Sequence, residues 1–403
     1  MGERDLDGLA ALRRDPYPLY AEAQRAEGLL FVPELDGWLV ARHADVREVL
    51  WTPEVFSSAN VLRPDMHPAP EAIAEMVKGP TGGGPVVVSA DGEAHLRLRA
   101  PLTRAFSGTR VGALLPFITE RAEALVDSFI GDGRVELMDR YARRLPGEVI
   151  AHIYGLDPAD ADVAIQGSVQ AERLGFRQMS TDDQVAAARD MAALRTLLDA
   201  HLTDRLERPR DDLVSELIEA LAPGAPTPED RGCILSNLVN LVIAGHLTTT
   251  ALLGNAMMHL LSHREQWEML VADPALIPDA IEEAARYDTA VQAFRRVTTR
   301  PTTLAGTELP EGASIVVGFG AAGRDGAAHE RPDEFDITRA RERHLAFGHG
   351  VHACPGAQLA REELRVSLET FARRLPDLRL AEQPAMRPSL IDRSPETLRL
   401  TWK

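Results

Sequence analysis

Cys354 stands in the stretch HLAFGHGVHACPGAQLARE, from His344 to Glu362, with glycines at 348, 350 and 356. The segment after it, LAREELRVSLETFARRL, has helical spacing. Glycines let a loop take up positive φ and let a flat group approach the backbone closely. A following helix directs amide N–H groups and its positive dipole end at the sulfur, which favours thiolate over thiol. Other spaced residues accompany it. In AGHLTT (244–249) Ala244 and Thr248 lie one turn apart on one helix face, His95 and Arg99 are spaced four apart, and Glu283 and Arg286 three apart, so each pair can meet on a helix.

Only one other cysteine, Cys233, occurs in the chain, and there is no Cys-x-x-Cys. A single thiolate speaks against zinc or iron–sulfur ligation and for one metal already held by another group, as in haem. FGHGVHACPG, Phe347 to Gly356, resembles the haem signature of the cytochrome P-450 monooxygenases, and the resemblance extends over nearly the whole chain. It implies a mainly α cytochrome P-450 fold, a helical body with small β-sheets (an α+β prism), in one domain over residues 1–403. It also implies haem b ligated by Cys354, with Phe347, Gly348 and Gly356 around the ligand and His95, Arg99, Arg296 and His352 as donors to the haem propionates.

By the same resemblance AGHLTT matches the oxygen-activation motif, making Ala244, Gly245, Thr248 and Thr249 the catalytic positions. Glu283, Arg286 and Arg339 match a structural charged triad. Substrate-facing positions are Asn240, Ile243, Ala244, Thr248, Gln292 and Arg295, with Arg393 to Glu396 in the C-terminal turn. The implied reaction is reductive activation of O2 and hydroxylation or another oxidation of a small organic molecule, in secondary metabolism. Electrons come from a separate ferredoxin or flavodoxin, since the length leaves no room for a flavin or nicotinamide domain.

One position departs from the family pattern. The acidic residue of the oxygen-activation motif is Leu247 here, so protons must travel through water, His246, Thr249 or a substrate group. Three consequences stay open: a monooxygenase with rerouted protons, a peroxide-dependent peroxygenase, or a radical-coupling enzyme. A non-catalytic haem-binding or sensor protein is a further alternative. Pro355 offers no N–H to the sulfur, which leaves more charge on it.

The formal net charge of −17 argues against nucleic-acid binding over the surface as a whole. Two cysteines, a polar start and no run of roughly 18 uninterrupted apolar residues point to a cytoplasmic protein without a membrane span. Along the chain, Asp36-Gly37 marks a hairpin between LLFVPEL and GWLVAR, and residues 60–90, rich in Pro and Gly, read as a long mobile connection with a short helix near 71–78. From 111 to 221 the pattern is helical. Thr227-Pro228-Glu229-Asp230 then starts a long apolar helix reaching about His263. Arg104, Arg110 and Arg361 are candidate contacts for the electron donor, and Arg173 and Arg177 for an acidic substrate.

Overall fold

The structure, a computed structural model, describes residues 12–403. Its elements begin with α1 (Tyr17–Arg25), β1 (Leu30–Val32), β2 (Gly37–Val40), α2 (His43–Trp51), β3 (Phe56–Ser57), α3 (Pro70–Met76), α4 (Gly92–Ala105), α5 (Gly108–Asp127), β4 (Arg134–Glu136) and α6 (Arg144–Ile153). There follow α7 (Ala161–Phe176), α8 (Thr181–Glu207), α9 (Leu213–Leu221), α10 (Pro228–Ser262), α11 (Arg264–Ala272), α12 (Ile277–Tyr287) and β5 (Ala293–Thr298). The last are β6 (Thr302–Leu304), β7 (Thr307–Leu309), β8 (Ser314–Gly318), α13 (Phe319–Ala322), α14 (Ala357–Arg374), β9 (Arg379–Leu380) and β10 (Arg399–Thr401).

These residues form two compact units. The first comprises the described residues up to Val61, with Thr119–Ala142 and Thr248–Lys403. Its main sheet has the order β1-β2-β8-β5-β3, with β2 and β8 parallel and the other neighbours antiparallel. The central strand β8 reads Ser-Ile-Val-Val-Gly and is apolar on both faces. Successive side chains of a strand point to opposite faces. Ile315 and Val317 therefore pack with Val46, Val49 and Leu50 of α2, while Val316 packs with Tyr20 and Ala23 of α1. Each such buried side chain contributes about 1.5–3 kcal/mol. The Asp36-Gly37 hairpin is present: Asp36 adopts φ 49° and β1 pairs with β2.

The second unit comprises Leu62–Ile118 and Arg143–Leu247. It is helical, and its core gathers Leu198 and Leu202 of α8, Leu213 and Leu217 of α9, and Ile234, Leu235 and Leu238 of α10.

Helix α10 belongs to both units, up to Leu247 in the second and from Thr248 in the first. Thr227 caps it, its hydroxyl accepting from the Asp230 amide (3.1 Å) while its own amide donates to the Asp230 carboxylate (3.0 Å). By length and composition α10 is the one helix among the described residues that could cross a membrane, and 56% of its most apolar window is buried inside the protein.

The mobile connection expected over residues 60–90 is instead hydrogen-bonded along its length. Asp65 and Met66 amides both donate to Gly175 O, and the Ala69 amide donates to Gln184 Oε1. Asn237 of α10 accepts from the Val87 amide and donates to Pro85 O. The glycine run serves close approach rather than looseness. A Cβ at Gly82 would stand 2.2 Å from Ser236 Oγ, and Gly83 N donates to Gly232 O (3.0 Å).

Candidate functional site

The cysteine loop lies in the first unit. Cys354 N donates to Phe347 O (2.8 Å), closing the loop, and Gly348 and Gly350 adopt φ of 72° and 69°. Gly350 also needs to lack a side chain, because a Cβ there would lie 2.4 Å from Leu50 O at the end of α2. Cys354 is exposed, and helix α14 starts three residues after it. Beneath the loop, Arg361 of α14 lies over the Phe347 ring (4.4 Å) and is clamped to Glu282 through two bonds of 2.6 and 2.9 Å. His344 Nε2 meets the same carboxylate at 3.0 Å. Burial would raise the Glu282 pKa, but Arg361 and His344 hold it down to about 2. Arg361 is thus paired with Glu282 while its side chain stays 38% exposed.

His352 and Arg296 lie in the same unit. The His352 Nε2 is 3.0 Å from the hydroxyl of Ser58, a fully buried residue, and Arg296 is buried on β5 with its main-chain carbonyl accepting from Asn60 (3.1 Å). The neighbouring Arg295 points to the opposite face, as strand geometry requires, and donates to Leu35 O (2.6 Å). Its side chain is buried there, so the expected substrate contact is corrected. Gln292 is corrected likewise. It is 0% exposed, and its amide donates to Thr289 O (2.8 Å) and Asp288 Oδ1 (3.3 Å).

Asp288 explains where these groups go. It accepts from Tyr17 Oη (2.7 Å) and Arg393 Nε (3.0 Å) and faces His259 Nε2 (3.1 Å). Burial would raise its pKa, but Arg393 and His259 carry it well below the ordinary carboxylate range. Arg393 is therefore part of this buried network, together with the Arg14 carbonyl, and not of a substrate-facing turn. Arg173 and Arg177 are also engaged internally, with Gln170 (3.0 Å) and the buried Glu172 (2.7 Å).

Glu283, Arg286 and Arg339 form a buried triad. Arg286 makes two 2.8 Å bonds to the Glu283 carboxylate, Arg339 Nε approaches it at 3.3 Å, and the Asp336 amide donates to it at 2.9 Å. The remaining guanidinium donors reach the carbonyls of Gly323, Pro332, Glu334, Arg331 and Glu330.

On α10 one strip is accessible within an otherwise buried helix. Asn240, Ile243 and Thr248 are half-buried and Ala244 is exposed, at helical spacing on one side, whereas Gly245 faces α6, where a Cβ would stand 3.0 Å from Ile150 Cδ1. Thr249 turns to the buried side, off that strip. Leu247 is 4% exposed. His246 is 0% exposed, with Nε2 2.9 Å from Arg143 O and Nδ1 2.7 Å from Ser168 Oγ. A carbonyl only accepts, so Nε2 carries a proton, and the Ser168 hydroxyl lies between Nδ1 and Ile165 O, 2.8 Å away. His246 thus joins α10 to α7 and to the residue before α6, which corrects its reading as a proton route.

In the second unit, α4 runs unbroken through Pro101, so His95 and Arg99 share one face. His95 is buried, and desolvation followed by the Arg99 charge lowers its pKa.

A family profile for cytochrome P450 matches residues 199–398. The chain is 36% identical to the vitamin D(3) 25-hydroxylase of Pseudonocardia autotrophica over 375 residues, 91% of this chain and 88% of that protein. The chain belongs to the cytochrome P450 family. It is also 33% identical to the mycinamicin IV hydroxylase/epoxidase of Micromonospora griseorubida, over 99% of this chain and 97% of the relative. The haem domain of a Tepidiphilus thermophilus P450 superposes with a TM-score of 0.91 at 29% identity, covering 99% of this chain and 97% of that one. This cytochrome P450 is a monooxygenase that uses haem and O2, a small-molecule substrate and a redox partner, and its helical body with small sheets is the fold of the family.

The residues fit a haem held by one protein ligand. The only thiol on a glycine-lined loop is accessible, a Cβ at Gly356 would come within 4.0 Å of its sulfur, and no cluster of three His, Cys, Asp or Glu among the described residues could chelate an ion in its place. Sequence reasoning missed Ser58, Asn60, Ser168 and the Asp288 network in this cytochrome P450. Hydroxyls and amides paired across 78 to 294 positions leave no local pattern to read. Asp288, directly after the last residue of α12, carried a hint only in being an acid beside an apolar helix.

Proposed function

We propose that the chain acts as a single cytochrome P450 domain in which the Cys354 thiolate ligates the iron of haem b. The observation that carries this reading is the accessible Cys354 sulfur on a glycine loop closed by its own amide on Phe347 O. His95, Arg99, Arg296 and His352 are the donors for the propionates, with Ser58 orienting the His352 ring. When bound, the haem supplies reductive activation of dioxygen and transfer of one oxygen atom to the substrate.

The chain's own residues govern room, water and protons. Ala244 carries only a methyl group and leaves space beside the accessible strip, while the Thr248 hydroxyl donates to a bound group or holds a water there. Leu247 carries no proton, and His246 is committed to Arg143 and Ser168, so protons arrive through water ordered by Thr248 or through the substrate. Asn240 and Ile243 meet the substrate, a small organic molecule of bacterial secondary metabolism. A cytoplasmic ferredoxin or flavodoxin delivers the electrons.

The decisive test is turnover with a reduced ferredoxin and isotopically labelled dioxygen, using substrates chosen by a spectral screen for the low-spin to high-spin shift. Incorporation of one labelled oxygen supports the reading. Leu247 favours a second reading, a peroxygenase. Product with peroxide and none with the electron donor would establish it. Replacing Leu247 by Glu separates the two further, since a rise in product per electron consumed belongs only to an O2-reducing enzyme with a weak proton supply.

A further inference from the structure

A row of carboxylates on α12 grips the chain that leads into the cysteine loop. Asp279, Glu282 and Glu283 fall at i, i+3 and i+4, on one side of the helix. Asp279 pairs with Arg341, Glu283 with Arg286 and Arg339, and Glu282 with His344 and Arg361. The Glu283 contacts make the buried triad. The Glu282 contacts lead instead to Phe347, whose carbonyl accepts from the Cys354 amide (2.8 Å).

Each joint of that second path is directional. The Ala346 amide donates to His344 Nδ1 (3.2 Å), so Nε2 carries the ring proton and donates it to Glu282 (3.0 Å). Arg361 commits two N–H groups of its planar fork to the two oxygens of the same carboxylate, which fixes the plane of the guanidinium as well as its place. That cation lies over the Phe347 ring at 4.4 Å, and the His344 ring stands 6.0 Å from the same phenyl centroid. Phe347 is half-buried, and Gly348 beside it adopts φ 72°, a joint that glycine leaves soft. The cation and the imidazole restrain it from the side. An ion pair whose guanidinium is 38% exposed adds little to global stability, so its effect is local to the ring it covers.

We propose that Arg361, oriented by Glu282 and His344, is a positioning residue for the sulfur. It pins the Phe347 ring, and the Phe347 carbonyl in turn holds the Cys354 amide, so that the sulfur keeps one position for ligation. The inference rests on the haem-thiolate reading of Cys354 and gives that ligand a support lying outside its glycine loop.

The test uses the dithionite-reduced holoprotein under carbon monoxide. Dithionite delivers the electrons directly, so contact with a carrier protein has no part in the readout. The red-shifted carbonyl Soret band reports ligation by sulfur, and its decay to a band at shorter wavelength is timed in a fixed, sub-denaturing concentration of urea. Arg361→Gln should speed that decay about tenfold or more, as for loss of charge-assisted hydrogen bonds. Glu282→Gln, which removes the carboxylate and leaves Arg361 in place, should speed it as well. Phe347→Leu should do the same, and Phe347→Leu combined with Arg361→Gln should decay no faster than Phe347→Leu, because the guanidinium acts through the ring. The unfolding midpoint of Arg361→Gln, followed by circular dichroism, should stay close to that of wild type. The proposal is overturned if Arg361→Gln loses the band at the wild-type rate, or if the two effects multiply in the double variant. It is overturned too if the unfolding midpoint falls in step with the band, which would make the pair a general support of the fold. A wild-type protein without the red-shifted band removes the Cys354 reading itself, a result distinct from all of these.

Discussion

Glu283 and Thr248 belong to the same compact unit and use polar atoms in opposite ways. Around Glu283 every group is committed: two arginines, a main-chain amide and five carbonyls satisfy one another, with Glu283 and Arg286 themselves buried. On the strip of α10 that bears Thr248, small and polar side chains stand accessible within a helix that is otherwise packed. The contrast separates frame from site. The triad holds α12 and the segment 323–339 in one arrangement, and the strip keeps surface available for what binds. Leu247 and His246 belong with the frame despite lying inside the motif, because one is buried and the other is spent on Arg143 and Ser168.

The sharpest way to break this comparison is to remove the triad's acid. Glu283→Ala strands two buried guanidinium groups and should cost about 3–5 kcal/mol, read as a lowered midpoint in chemical denaturation. Thr248→Val should change stability by less than about 1 kcal/mol and instead lower the product formed per electron consumed. Equal losses of stability in the two variants would abolish the distinction.

Asp288→Asn is expected to have the next largest effect, about 2–3 kcal/mol at neutral pH, since charged hydrogen bonds to Tyr17 and Arg393 are lost. Because the folded-state pKa is depressed, the stabilisation is fully present above the ordinary aspartate value, about 3.9, and is lost as pH falls through the folded value. Unfolding curves of wild type and variant should therefore converge on acidification. Ser168→Ala removes the hydroxyl that joins His246 Nδ1 and Ile165 O and should cost about 1 kcal/mol. Pro355→Leu, the smallest change in stability, gives the sulfur a potential N–H donor, and spectroelectrochemistry should show a raised haem reduction potential.

Much of this was legible in residue types. The cap Thr227, the Asp36-Gly37 turn and the Glu283/Arg286 spacing are local signals, and each is realised where it stands in the chain. Motif-relative placement served less well for Gln292, Arg295 and Arg393. Their long polar side chains could as easily satisfy buried carboxylates and carbonyls as face a substrate, and only tertiary contacts decide between these. The Pro/Gly stretch over 60–90 misled for a related reason. Composition reports what a backbone can do, whereas Asn237 and Gly232, about 150 residues further on, determine what it does.

One sulfur atom decides the chemistry, and the most direct measurement of its role is the spectrum of the dithionite-reduced holoprotein with carbon monoxide. The Cys354 reading predicts the strongly red-shifted Soret band from which the family takes its name, and its loss in Cys354→Ser. A reduced carbonyl spectrum without that band, or one that the serine variant leaves unchanged, would contradict it.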